Sequence, residues 1–298
     1  MRKVGVIGAG KWGQALAFAF SKNPENEVYI TSRTKRNLDN FVSLEEILEL
    51  EYLVIAIPAQ QVACWLDEHF ENRGQKVLVV SKGIEATTGR FLNEIYAKHV
   101  DAKNIAFLSG PSFAAEVMQG LPCALVINTE NTSLADEFGL LFPSFVRTYN
   151  STDVMGAEVA GAYKNVIAIA AGIVEGLALG KNASASLISR GLIEMHRFGK
   201  HYGGEDDTFL GLSGAGDLFL TASSTMSRNF RVGLGLAAGK SQADILEELG
   251  EVAEGIGTAY ALNTIANDRN IYLPIAAEVY AILEGKEPRK SLQDLLVR

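Results

Sequence analysis

Lys164 stands where a charge is hard to accommodate: Ala160-Gly161-Ala162 precedes it and Val166-Ile167-Ala168 follows. A lysine in such a run snorkels to solvent, pairs with an acid or faces a cleft. In the last case desolvation lowers its pKa and suits it to pass a proton. Other stretches place a cation or an amide among small residues: Ser81-Lys82-Gly83-Ile84, Ser109-Gly110-Pro111-Ser112-Phe113-Ala114, the Lys164-Asn165 pair, and Ser213-Gly214-Ala215-Gly216-Asp217 continuing to Ser227-Arg228-Asn229-Phe230-Arg231. Small side chains let a ligand approach the backbone, and the lysines and arginines beside them supply charge for an anion.

A different chemistry is written near the start. Gly8-Ala9-Gly10-Lys11-Trp12-Gly13 directly follows the apolar run Val4-Gly5-Val6-Ile7. In a strand that turns at once into a helix, Gly8 permits the tight turn, Gly10 lets the backbone approach a pyrophosphate, and Gly13 lets the helix pack close to the strand. Free N–H groups and the helix dipole then favour a phosphate. The end of the second strand ordinarily carries an acid that binds the ribose 2′-OH of NAD and repels the 2′-phosphate of NADP. Here it reads Thr31-Ser32-Arg33-Thr34-Lys35-Arg36, with no acid, and Arg33 can pair with a phosphate while stacking by the adenine. NAD and NADP are both expected cofactors, with NADP accepted at least as well.

The elements that must position these residues are legible in outline. Short apolar runs at 3–8, 27–31, 52–57, 76–81, 105–108, 123–128 and 146–149 predict strands separated by helices, as in a Rossmann-like parallel α/β sheet. Beyond residue 151 the pattern becomes all-helical, with helices expected at 157–179, 184–201, 229–238, 241–249, 259–267 and 275–284. Ser241, three residues before Asp244, and Gly285 supply cap signals. The expected division is a dinucleotide-binding domain over 1–150 and a helical substrate and catalytic domain over 151–298.

Composition narrows the function classes. With 298 residues, 48% hydrophobic and 21% charged, the chain is globular and long enough for two domains. A net charge of −8 argues against nucleic acid, so phosphate must meet local cations. Cys64 and Cys123 lack any disulfide or metal-ligand spacing, and the four histidines show none either, so no metal is expected. Ser109, Ser112 and Ser213 lie near no His/Asp set that would make a hydrolase. Residues 166–179 are interrupted by Glu175 and too short to span a bilayer, so the expectation is a soluble, cytoplasmic protein without stable membrane insertion. Gly211–Gly216 and Gly233-Leu234-Gly235 look nucleotide-like, but no β-rich strand precedes them, and they read as substrate-side or packing turns.

GAGKWGQALA, SKGI, LSGPSFAAEV, the KN pair, LSGAGDL, SRNFRVG and VAEGIGTA, in that order between residue 4 and about residue 280, resemble the bacterial-type NAD(P)-dependent glycerol-3-phosphate dehydrogenases. The resemblance implies that Lys11, Trp12, Arg33, Ala114, Val252 and Glu254 lie along the dinucleotide. It implies that Gly110, Ser112, Asp217, Ser227 and Asn229 surround a small phosphorylated substrate, that Lys82 and Arg228 approach both ligands, and that Lys164 is the proton donor and acceptor. The implied reaction is reversible reduction of dihydroxyacetone phosphate to sn-glycerol 3-phosphate, which feeds glycerophospholipid synthesis; a homodimer is compatible with it. Lys11 stands where a small residue is common, Thr31 where tryptophan is frequent, and the segment from Arg33 to Tyr52 is short and lacks the usual Tyr-Leu-Pro. The alternatives are another two-domain hydroxyacid dehydrogenase, acting on a 6-phosphogluconate, ketopantoate or 3-hydroxyacyl substrate, and a non-catalytic dinucleotide sensor.

Overall fold

The structure, a computed structural model, describes residues 1–297, with side chains through residue 295. Its seven strands are β1 (Arg2–Ile7), β2 (Asn26–Thr31), β3 (Tyr52–Ile55), β4 (Lys76–Val79), β5 (Ile105–Ser109), β6 (Cys123–Asn128) and β7 (Val146–Ser151). They form one sheet in the order β2-β1-β3-β4-β5-β6-β7. Val4, Val6, Val54, Leu78, Ala106 and Leu108 are all buried, as the near-continuous apolar runs of a covered sheet require. The chain leaves β1 toward β2 on one side and returns to β3 on the other, so the Gly8–Gly13 turn lies at the switch point of the sheet.

The sheet departs from the all-parallel expectation at one pair: β5 and β6 run antiparallel. Their connection holds only the four-residue helix Ala114–Val117, too little to carry the chain back for a parallel partner. The segment after Arg33 also resolves: Phe41 bridges to Ile30, Ile30 N–H donates to the Asn40 carbonyl, and Leu38 and Phe41 pack on the core. The short stretch thus covers the β2 edge.

The chain divides into two compact units, Met1–Ser81 with Asn93–Ala157, and Lys82–Leu92 with the chain from Glu158 onward. The expected division into 1–150 and 151–298 is continuous in sequence; this one is not, and residue 298 lies outside the described residues. Residues 82–92 form a hairpin that packs with the helices. Ile84 bridges to Phe91, the Glu85 carboxylate accepts from Arg90 at 2.9 Å, and the buried Phe91 ring meets Phe198 and Tyr202. Sequence alternation gave no sign of this detour.

The first helix of the chain is α1 (Lys11–Ser21); those of the second unit include α2 (Val154–Gly176, which enters the unit at Glu158), α3 (Gly180–Lys200), α4 (Asp217–Ala222), α5 (Arg228–Ala237), α6 (Glu254–Arg269) and α7 (Pro274–Leu283). α2 begins earlier than expected and is long and apolar enough to cross a membrane, yet its apolar window is wholly buried. Gly172 and Gly233 explain how α5 lies so close to α2: a Cβ on either would fall 2.0 Å from a backbone oxygen of the other helix, Phe230 O and Ile169 O respectively. The Gly233 signal is therefore packing. Ser241 accepts from Asp244 N–H at 3.2 Å and caps the helix Gln242–Leu249, as expected.

Candidate functional site

In the first unit the glycine loop is built from backbone. Gly8 has φ +112, where a side chain is strained, and a Cβ there would fall 2.4 Å from Ala56 O. A Cβ on Gly13 would fall 1.8 Å from Gly8 O, so α1 sits on the turn only because residue 13 has none. Gly10 is the opposite case: nothing lies within 4 Å of its would-be Cβ, and this N-cap residue offers no side chain to the helix start. Open space beside the backbone at the start of α1 fits a pyrophosphate. Trp12 and Ala114 pack against the same small cluster of Ala15, Ala19 and Val117, which brings these two candidates together. Arg33 is exposed two residues beyond β2, and Lys11 is exposed on the first turn of α1. Gly110, with φ +105, and Ser112 follow the carboxyl end of β5.

In the second unit, side chains from two distant stretches, and Thr221 of its own helix, gather around Asp217. Lys164 Nζ donates to Asp217 Oδ1 at 2.5 Å and to Thr221 Oγ1 at 3.0 Å, while Lys82 Nζ donates to Asp217 Oδ2 at 2.6 Å. The Asp217 side chain is 2% exposed and that of Lys164 9%, so Lys164 pairs rather than snorkels. Each position has a local cause. Asp217 opens α4 directly after a π-helical turn, Leu212–Gly216, in which a Cβ on Gly214 would fall 2.2 Å from Phe209 O. Thr221 follows one helical turn later on the same face. Gly161, one turn before Lys164, leaves room for the Lys82 stem, whose Cγ and Cδ come 3.4 Å from its would-be Cβ.

Electrostatics follow from this burial. Desolvation pushes the Lys164 ammonium down to about 8; Asp217 opposes the shift and Lys82 adds to it. Burial alone would raise the Asp217 carboxyl, but the two ammoniums hold it below the usual carboxylate range. The result is a lysine that exchanges its proton near neutral pH beside a carboxylate that stays charged.

A second set of contacts stitches three dipeptides together. Asn229 Nδ2 donates to Asn165 Oδ1 at 2.9 Å, and Asn229 Oδ1 accepts from Gly255 N–H at 3.0 Å. Lys164-Asn165, Arg228-Asn229 and Glu254-Gly255 are thereby locked in register, with Asn229 as the joint. Ser227 Oγ accepts from Phe230 N–H at 3.2 Å and caps α5, so its hydroxyl orients the helix start that presents Arg228. Val252 is exposed and Glu254 opens α6. Sequence reasoning missed Thr221, which its spacing of four from Asp217 could have flagged, and did not assign Asn165 a role. It placed Lys82 at a strand end, whereas the structure carries it to the helical unit.

A family model described as NAD-dependent glycerol-3-phosphate dehydrogenase N-terminus matches residues 25–135, and its C-terminus counterpart matches residues 153–294. The glycerol-3-phosphate dehydrogenase (NAD(P)+) of Sulfurimonas denitrificans is 72% identical over 296 residues, covering 99% of both chains. That of Nitratiruptor sp. is 58% identical, covering 99% of this chain and 98% of its own. The crystal structure of glycerol-3-phosphate dehydrogenase from Coxiella burnetii superposes with a TM-score of 0.90 at 30% identity, over 100% of this chain and 99% of that one. With both halves matched in order, the chain belongs to the NAD-dependent glycerol-3-phosphate dehydrogenase family.

Proposed function

We propose that the chain catalyses the reversible reduction of dihydroxyacetone phosphate to sn-glycerol 3-phosphate with NADH or NADPH, and that Lys164 moves the proton. The observation that carries this reading is the buried pairing of Lys164 with Asp217, Lys82 and Thr221. The Gly8–Gly13 loop with Lys11, Trp12, Arg33 and Ala114 would hold a reduced nicotinamide dinucleotide, which when bound would supply the hydride for the C2 carbonyl carbon.

As the carbonyl oxygen gains negative charge, the Lys164 ammonium stabilises it and donates its proton; in the alcohol-oxidising direction the neutral amine takes that proton. Asp217 holds the Lys164 Nζ in place and balances its charge. Lys82, on the other carboxylate oxygen, keeps Asp217 ionised and adds positive charge where the substrate oxygens sit. Arg228, at the start of α5, takes the substrate phosphate, with Asn229 fixing that helix start against α2 and α6. In the first unit we assign Gly110 and Ser112 to substrate binding, and in the second Val252 and Glu254 to dinucleotide binding.

The product is a glycerophospholipid precursor, and we assign the chain that role in the cytoplasm. The test is one assay, dihydroxyacetone phosphate with NADH and NADPH in parallel. Oxidation of either cofactor, with NADPH used at least as well, is expected. Activity only with a 6-phosphogluconate, ketopantoate or 3-hydroxyacyl substrate would overturn the assignment, and no turnover with any of them would leave a dinucleotide sensor.

A further inference from the structure

Arg228 is engaged by an acid of the chain itself. Its Nη1 lies 3.5 Å from Glu251 Oε2, with the two side chains 41% and 25% exposed. Gly250, at φ 61, ends the preceding helix in a left-handed turn, and Glu251 follows at once. The Asn229–Gly255 hydrogen bond at 3.0 Å keeps the 250–255 stretch beside the start of α5. A carboxylate is thus placed on the guanidinium that, in the function proposed above, takes the substrate phosphate.

We propose that Glu251 is an intramolecular stand-in for the substrate phosphate, which must displace it from Arg228. The inference rests on the reading of Arg228 as phosphate anchor. Its physical basis is the weakness of the contact: one long, half-exposed N–O approach is worth little, whereas a phosphate offers Arg228 two oxygens in bidentate geometry. The phosphate therefore wins, but against a competitor of its own sign. That handicap falls only on ligands that carry the phosphate, so Glu251 sets the affinity for substrate and product and leaves the proton-transfer centre alone.

The test compares the full-length protein with Glu251→Gln, Glu251→Asp and Arg228→Ala. Glu251→Gln is expected to lower the KM for dihydroxyacetone phosphate by about two- to fivefold and to tighten inhibition by inorganic phosphate by a similar factor. Any response to unphosphorylated dihydroxyacetone is expected to stay the same, and Glu251→Asp, which keeps the charge, to stay nearer the parent. A KM that rises in Glu251→Gln would make Glu251 a support for Arg228, and an unchanged KM would make it inert; either overturns the proposal. Arg228→Ala separates the two layers. If it raises the KM for the phosphorylated ketone far more than it weakens the response to the unphosphorylated one, the anchor reading stands whatever Glu251 does. Equal losses for both would remove the anchor and the stand-in together.

Discussion

The glycine loop of the first unit and the charged centre of the second, to which the proposed function gives a pyrophosphate and a proton transfer, are made of opposite materials. The loop is backbone: its chemistry comes from missing side chains at three positions within six residues. The centre is side chain: Lys82, Lys164 and Asp217 come from a hairpin, a buried helix and the residue after a π-helical turn, more than fifty residues apart. A site of the first kind depends on the steric demands of single atoms. A site of the second kind depends on mutual neutralisation, and removing one member leaves the others buried with the wrong charge.

The largest expected effect breaks the second kind. Asp217→Asn leaves two ammoniums facing each other in a buried pocket, and should cost about 3–5 kcal/mol of stability, measured as a shift of the denaturant midpoint, along with turnover. The Lys164 pKa should fall further below its value of about 8, because its favourable partner is lost and Lys82 remains. A variant as stable as the parent would mean that the aspartate is not what balances the lysines.

Two substitutions sharpen the first kind. Gly13→Ala drives a methyl to 1.8 Å from Gly8 O and must move α1, with about 1–3 kcal/mol lost from stability and weaker dinucleotide binding. Gly10→Ala meets nothing within 4 Å, so Tm should hold or rise slightly, while dinucleotide affinity, followed by fluorescence titration, falls by about tenfold. Equal behaviour of the two variants would show that Gly10 does not face the pyrophosphate. The smallest effect is expected from the exposed Arg33: Arg33→Asp should move the NADP-to-NAD affinity ratio toward NAD by several-fold, about one order of magnitude at most. An unchanged ratio would remove Arg33 from the cofactor site.

The same contrast explains what was legible. Gly8, Gly10 and Gly13 could be given roles from spacing alone, because each glycine acts through local geometry. Lys164 was visible because an unpaired lysine in an apolar helix is costly, so its oddity pointed to a partner without naming it. Asp217, Lys82 and Arg228 were visible as charges among small residues, but only the fold shows that Lys82 and Lys164 share the Asp217 carboxylate. The detour of residues 82–92 into the helical unit left no periodicity to read, since it is held by Phe91 against Phe198 and Tyr202, far along the chain. Antiparallel β6 was hidden for a related reason: a buried strand has the same apolar run in either direction. The roles of Ser227 and Asn229 as cap and joint emerged only from their hydrogen bonds.

The central claim is that the buried Lys164 moves the proton, and the pH dependence of turnover in both directions, in the parent and in Lys164→Ala, tests it most directly. Ketone reduction needs the ammonium, so it should fall as pH rises through about 8; alcohol oxidation needs the neutral amine, so it should rise over the same range. Lys164→Ala should lose both limbs and at least about 10²-fold in kcat, with dinucleotide affinity nearly unchanged. Near-parental turnover in that variant, or limbs that persist without the lysine, would contradict it.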